Sequence, residues 1–120
     1  MDPKNTYCIR EHCWAWVEKS GLVRVGIDAM FLRTVKNVIY VDLPLVGDEV
    51  EQGRACVKMT SEEHRIFKMW SPVSGQVVAV TEDVGKDAEL MFEDPYGKGW
   101  LLRVKPNRLE EDMNNLTKGL

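Results

Sequence analysis

The chain has 120 residues, 44% hydrophobic and 29% charged, with 16 Lys and Arg against 19 Asp and Glu and a formal net charge of −3. That size fits one domain with a small core, and the lack of a basic excess argues against nucleic-acid binding, which needs Lys and Arg to neutralise phosphates. No apolar run approaches the roughly 18 residues of a membrane span, and residues 1–7 lack the apolar stretch of an export signal, so the expected location is the cytoplasm.

Cys8, Cys13 and Cys56 are odd in number and contain no CxxC pair, which disfavours a disulfide framework. Cys8, His12 and Cys13 make a poor zinc fragment, because zinc sites need four ligands at better spacings. No metal site is expected, and the cysteines read as small buried apolar side chains.

Residues 7–17 (YCIREHCWAWV) read as a first strand with Trp14 and Trp16 on one side. A turn at Lys19-Ser20-Gly21 leads to Leu22–Ile27, where Val23, Val25 and Ile27 alternate; the two runs predict a hairpin. Asp28 is a candidate N-cap for a short helix over 29–35, with Phe31 and Val35 one turn apart on its inner face. Asn37 is a stop, and Val38–Leu43 reads as a strand that Pro44 ends or holds at an edge.

Two glycine-marked turns, Val46–Gly53 and Ser71–Gly75, bracket two apolar arms joined by Thr60-Ser61-Glu62-Glu63-His64-Arg65. That pattern predicts a hairpin with a polar tip. Gln76–Val80 reads as a strand, Leu90–Phe92 as a short apolar segment, Glu93–Gly99 as turns, and Trp100–Val104 as the last strand. Pro106 and Asn107 open a C-terminal helix over 107–118, with Asn107 and Glu110 in a capping-box pattern and Leu109, Met113 and Leu116 as its apolar stripe. Gly119 follows where a terminating glycine is expected. Asp48–Cys56 also echoes Glu82–Leu90 at an offset of 34, which suggests two pseudo-symmetric halves of one β-domain.

Six pieces in order carry a resemblance to a known family: REHxWxWV (Arg10–Val17), VGID (Val25–Asp28), VIYVDLP (Val38–Pro44), VGDEVExG (Val46–Gly53), SPVSG (Ser71–Gly75) and EDPYGKGWL (Glu93–Leu101). Together they resemble the H protein family of the glycine cleavage system. The resemblance implies one domain over 1–120, with 1–6 as a tail. It also implies a mainly β, barrel-sandwich hybrid of the lipoyl/biotinyl-domain kind, with a short internal helix and the C-terminal helix. In that family a lysine at the hairpin tip carries an amide-linked lipoyl group, which visits several enzymes in turn while the cofactor does the chemistry.

Set against the family pattern, the lysine position falls at Glu63 counting from Gly53 and at His64 counting from Ser71, because this hairpin is one residue longer. Neither is lysine, and the nearest lysines, Lys58 and Lys68, sit on the two arms. The expectation is therefore a non-lipoylated binding or regulatory module around lipoyl-handling enzymes, with no cofactor, no catalytic residues of its own, and a monomeric state. The alternative is a working lipoyl or aminomethyl carrier, in glycine cleavage or a related sulfur-transfer system, modified at Lys58 or Lys68. A third reading, an acid–base or metal site of Glu62, Glu63 and His64, is disfavoured because a hairpin tip is convex and catalysis needs a concave pocket. Met59, Glu62, Glu63, His64, Met69, Trp70 and His12 are the candidate partner surface.

Overall fold

The computed structural model describes residues 7–9, 13–35 and 37–118. In chain order it forms β1 (Tyr7–Ile9), β2 (Cys13–Val17), β3 (Val23–Ile27), α1 (Ala29–Leu32), β4 (Val38–Asp42), β5 (Glu49–Val50), β6 (Ala55–Ser61) and β7 (Ile66–Trp70). Then follow β8 (Gly75–Val80), α2 (Glu82–Lys86), α3 (Glu89–Glu93), β9 (Leu102–Pro106), α4 (Leu109–Met113) and β10 (Thr117–Lys118). One sheet runs β10-β1-β2-β3-β9-β8-β5 and the other β4-β6-β7. This is the expected mainly β, two-sheet architecture.

Alternation along the strands builds the core between the sheets. Ala15, Val23, Val25, Ile27, Val77, Leu102 and Val104 face inward from the large sheet and meet Val57, Met59 and Met69 from the small one. The opposite face of the large sheet carries Trp14, which pairs across strands with Gly26, and Trp16, which pairs with Arg24. Trp14 is fully buried, its indole N–H donates to the Pro95 carbonyl at 2.9 Å, and its ring lies 5.8 Å from that of Tyr96. The Arg24 guanidinium sits over Trp16 and Trp100, and Glu18 accepts from Arg103 at 2.8 Å. These tryptophans are thus used as packing.

Several sequence expectations need correction. Residues 7–17 are not one strand: β1 and β2 are antiparallel partners, with Tyr7 opposite Ala15. The echo between Asp48–Cys56 and Glu82–Leu90 is not structural, since the first copy is β5, a turn and the start of β6, and the second is α2 and the start of α3. Thr81 decides the difference: its hydroxyl caps α2 by accepting from the Val84 N–H, and Glu82 and Asp83 sit in the first turn where carboxylates favour a helix. Leu90–Phe92 accordingly lies inside α3, and the internal helices number three among the described residues rather than one.

At the C-terminal end the helix is five residues, Leu109–Met113, and not 107–118; β10 then pairs with β1. The capping box does not form, because the N-cap is Arg108 and the Asn107 N–H donates to the Ser74 carbonyl. What seats α4 is polar. Asp112 is buried and accepts from the Ser74 N–H at 2.7 Å, while Gln52 donates to the carbonyls of Pro72 and Asp112. Asp28 does cap α1, accepting from the Met30 N–H at 3.0 Å and from the Tyr96 hydroxyl at 2.7 Å. The proposed tail 1–6, His12 and Gly119 lie outside the described residues.

Candidate functional site

β6 and β7 form the expected hairpin, with Thr60 opposite Ile66 and Met59 opposite Phe67. At its tip the His64 N–H donates to the Ser61 carbonyl at 3.0 Å, and the Ser61 N–H donates to the Arg65 carbonyl at 3.0 Å. These two bonds close a three-residue loop of Glu62, Glu63 and His64. His64 takes φ +62°, the left-handed position that such loops require at their third residue. Glycine and asparagine fit there most easily, and histidine is among the side chains that tolerate it. The buried Ser61 hydroxyl adds a bond from the Arg65 N–H at 3.2 Å.

The loop is also tied sideways. The Glu62 N–H donates to the carbonyl of Asn37, itself at φ +55°, at 2.8 Å. Asn37 was legible only as a stop; that its carbonyl holds the tip follows from pairing between β4 and β6, which local pattern does not carry. Ser61 had a weaker signal, since serine before a tight turn often bonds the backbone a few residues on.

The candidate residues separate into distinct environments. Glu62, Glu63, His64 and Arg65 are all exposed. Met59 and Met69 are fully buried on the inner face of the small sheet, so they are core residues and not part of a partner surface; alternation with exposed Lys58 and Lys68 turns them inward. Trp70 is half-buried, and its carbonyl accepts from the Cys13 thiol. Lys58 and Lys68 stand directly opposite each other mid-hairpin on the outer face, with Asp42 3.8 Å from Lys58. They border a groove of about 660 Å³ whose lining includes Asp48, Glu51, Arg54 and Cys56. Among the described residues no group of three His, Cys, Asp or Glu side chains could hold a metal.

Burial pushes the Cys56 thiol up to about 12, against a smaller opposing effect of the Ser71 hydrogen bond. The thiolate is the reactive form. Labelling of Cys56 by a disulfide reagent at pH 8, mapped by mass spectrometry, is therefore expected to run at least about tenfold slower in the folded chain than in denaturant, since the smaller thiolate fraction is partly offset by the higher nucleophilicity of a more basic thiolate. Equal rates would contradict that burial.

A family profile described as "Glycine cleavage H-protein" matches residues 6–119. The chain belongs to the glycine cleavage H-protein family. A probable glycine cleavage system H protein from Pyrococcus abyssi is 38% identical over 110 residues, covering 92% of this chain and 81% of that protein. The glycine cleavage system H protein of Corynebacterium jeikeium is 41% identical over 106 residues, covering 86% and 83%. The crystal structure of a glycine cleavage system H protein from Mycobacterium marinum superposes with a TM-score of 0.80 at 31% identity, covering 88% and 87%. Members of this family are carrier proteins rather than enzymes, and the two-sheet fold of this chain matches theirs. No helix among the described residues is long and apolar enough to cross a membrane.

Proposed function

We propose that this chain is a non-lipoylated member of the H-protein family that works in the cytoplasm as a protein-binding or regulatory module around lipoyl-handling enzymes. The observation that carries this reading is the chemistry of the loop. Lipoyl attachment is an amide bond to a primary amine, and Glu62, Glu63, His64 and Arg65 offer carboxylates, an imidazole and a guanidinium. The lipoyl group therefore does not fit the tip. Lys58 and Lys68 have amines, but they project from mid-strand positions in a paired ladder and not from a turn. The rest of the carrier scaffold is retained, including the closed loop and the Ser71–Gly75 segment. A family member that keeps the presenting fold and lacks the acceptor can still occupy the docking surfaces that partner enzymes use.

The test is intact mass after co-expression with a lipoate-attaching enzyme and added lipoate, with His64→Lys and Glu63→Lys variants beside the wild type. The wild type is expected to stay unmodified, and at least one lysine variant to gain one lipoyl group. Lipoyl mass on the wild type, mapped to Lys58 or Lys68, overturns the reading in favour of a working carrier. The unmodified protein is further expected to bind purified glycine-decarboxylating, aminomethyl-transferring or dihydrolipoyl-oxidising enzymes. Binding to none of them removes the regulatory role.

A further inference from the structure

A second groove, about 530 Å³, opens beside the tip between α1 and α3. Its floor is apolar: Leu32 and Val35 are buried, Val38 is half-buried, and Phe92 stands 37% exposed at the edge. Its rim is acidic. Glu89, Phe92 and Glu93 fall at i, i+3 and i+4 on one face of α3, and Glu62 faces them from the hairpin tip. Among the described residues, Arg33 is the one basic residue in the lining.

Two physical features give the groove a preferred occupant. Carboxylates at i and i+4 on a helix repel one another, yet Glu62, Glu89 and Glu93 enter no ion pair among the described residues. The charge around them is also concentrated. Between Glu82 and Asp94 lie six exposed carboxylates and one lysine, net −5, in a chain whose total is −3. The remainder of the chain is therefore net positive, and two of those carboxylates, Glu89 and Glu93, flank the exposed Phe92 at the groove. An apolar slot with a predominantly acidic rim is complementary to a segment with apolar side chains and a positive charge.

We infer that this groove docks a short, basic, amphipathic segment of a partner protein, whose apolar side chains pack on Leu32, Val35, Val38 and Phe92 while its Lys or Arg side chains meet Glu62, Glu89 and Glu93. The assignment does not depend on whether the tip is lipoylated, so it stands or falls separately from the function proposed above.

The probe is a labelled amphipathic Leu/Lys helical peptide, with its Leu/Glu counterpart and spermine as comparisons, titrated into the full chain by NMR. Amide shifts are expected at Val35, Val38, Glu62 and Phe92 with the Leu/Lys peptide and none with the Leu/Glu peptide. Affinity is expected to fall about tenfold or more both in the Glu62→Gln/Glu89→Gln/Glu93→Gln variant and in Phe92→Ala, each checked for native fold by its spectrum. Unchanged affinity in Phe92→Ala would mean charge-only binding and overturns the proposal. So does shift mapping onto the Lys58–Lys68 face, or spermine reproducing the shift pattern, which would make this a small-polycation site.

Discussion

Asp112→Ala is expected to lower the unfolding free energy by about 3 kcal/mol in urea titration. The carboxylate is buried, and its Oδ2 is the acceptor for the Ser74 N–H at 2.7 Å, itself buried. Deleting it leaves that N–H without a partner, at a cost of roughly 1–3 kcal/mol, and a bond to a charged group is worth more than a neutral one. Arg108 also loses a partner, with its guanidinium 3.9 Å from Oδ1. The loss does not undock α4 entirely, because Gln52 still donates to the Asp112 carbonyl at 2.8 Å and accepts from Asn115 at 2.9 Å. Asp112→Asn retains a carbonyl oxygen for the Ser74 N–H and should cost about 1 kcal/mol. If the alanine and asparagine variants are equally stable, the Ser74 bond is not what fixes the helix.

Gly26→Ala should cost about 3 kcal/mol, the upper part of the range for overpacking. A Cβ at this position would lie 2.5 Å from Cε2 and Cζ2 of Trp14. The indole cannot step aside, since its N–H is bonded to the Pro95 carbonyl and its ring packs beside Tyr96. The strand must shift or that bond must break. A double-mutant cycle isolates the cause: in a Trp14→Leu background, the penalty of Gly26→Ala should shrink to below about 1 kcal/mol. A penalty that persists at full size would place the strain in the β3 backbone instead. The pair also gives a physical reason for the tryptophan and glycine of the REHxWxWV and VGID segments: they are opposite each other in register, and one residue leaves the space the other fills.

The parts of the fold that were legible in sequence are those with local causes. Alternation in Val23–Ile27 and the glycine-marked brackets around the β6–β7 hairpin named strands, and Asp28 named a helix start. The polar tip was visible because six successive polar residues interrupt two apolar arms. Failures came where two patterns compete. Glu82–Leu90 shares with Asp48–Cys56 an acidic pair followed by valine, and the Thr81 cap stands where the second copy turns into a helix. At the C-terminal end, a plausible apolar stripe hid the fact that buried Asp112 holds the helix. Met59 and Met69 were ambiguous because bulky apolar residues beside an exposed loop suit either face, and register alone settles it. The Asn37–Glu62 bond and the groove between α1 and α3 join segments distant in sequence, so no window of the chain contains them.

The pairing of β1 with β10 has a kinetic side. Tyr7 lies opposite Lys118, and β3 pairs with β9, Val25 opposite Leu102. The large sheet is thus stitched together by its earliest and latest described residues, so synthesis must have passed Lys118 before that sheet can close. The strand pairings of the β6–β7 hairpin, by contrast, all lie between Val38 and Trp70. Because long loops must be closed before distant strands gain from pairing, the tip hairpin is able to form while the sheet around it is still waiting for its last strand.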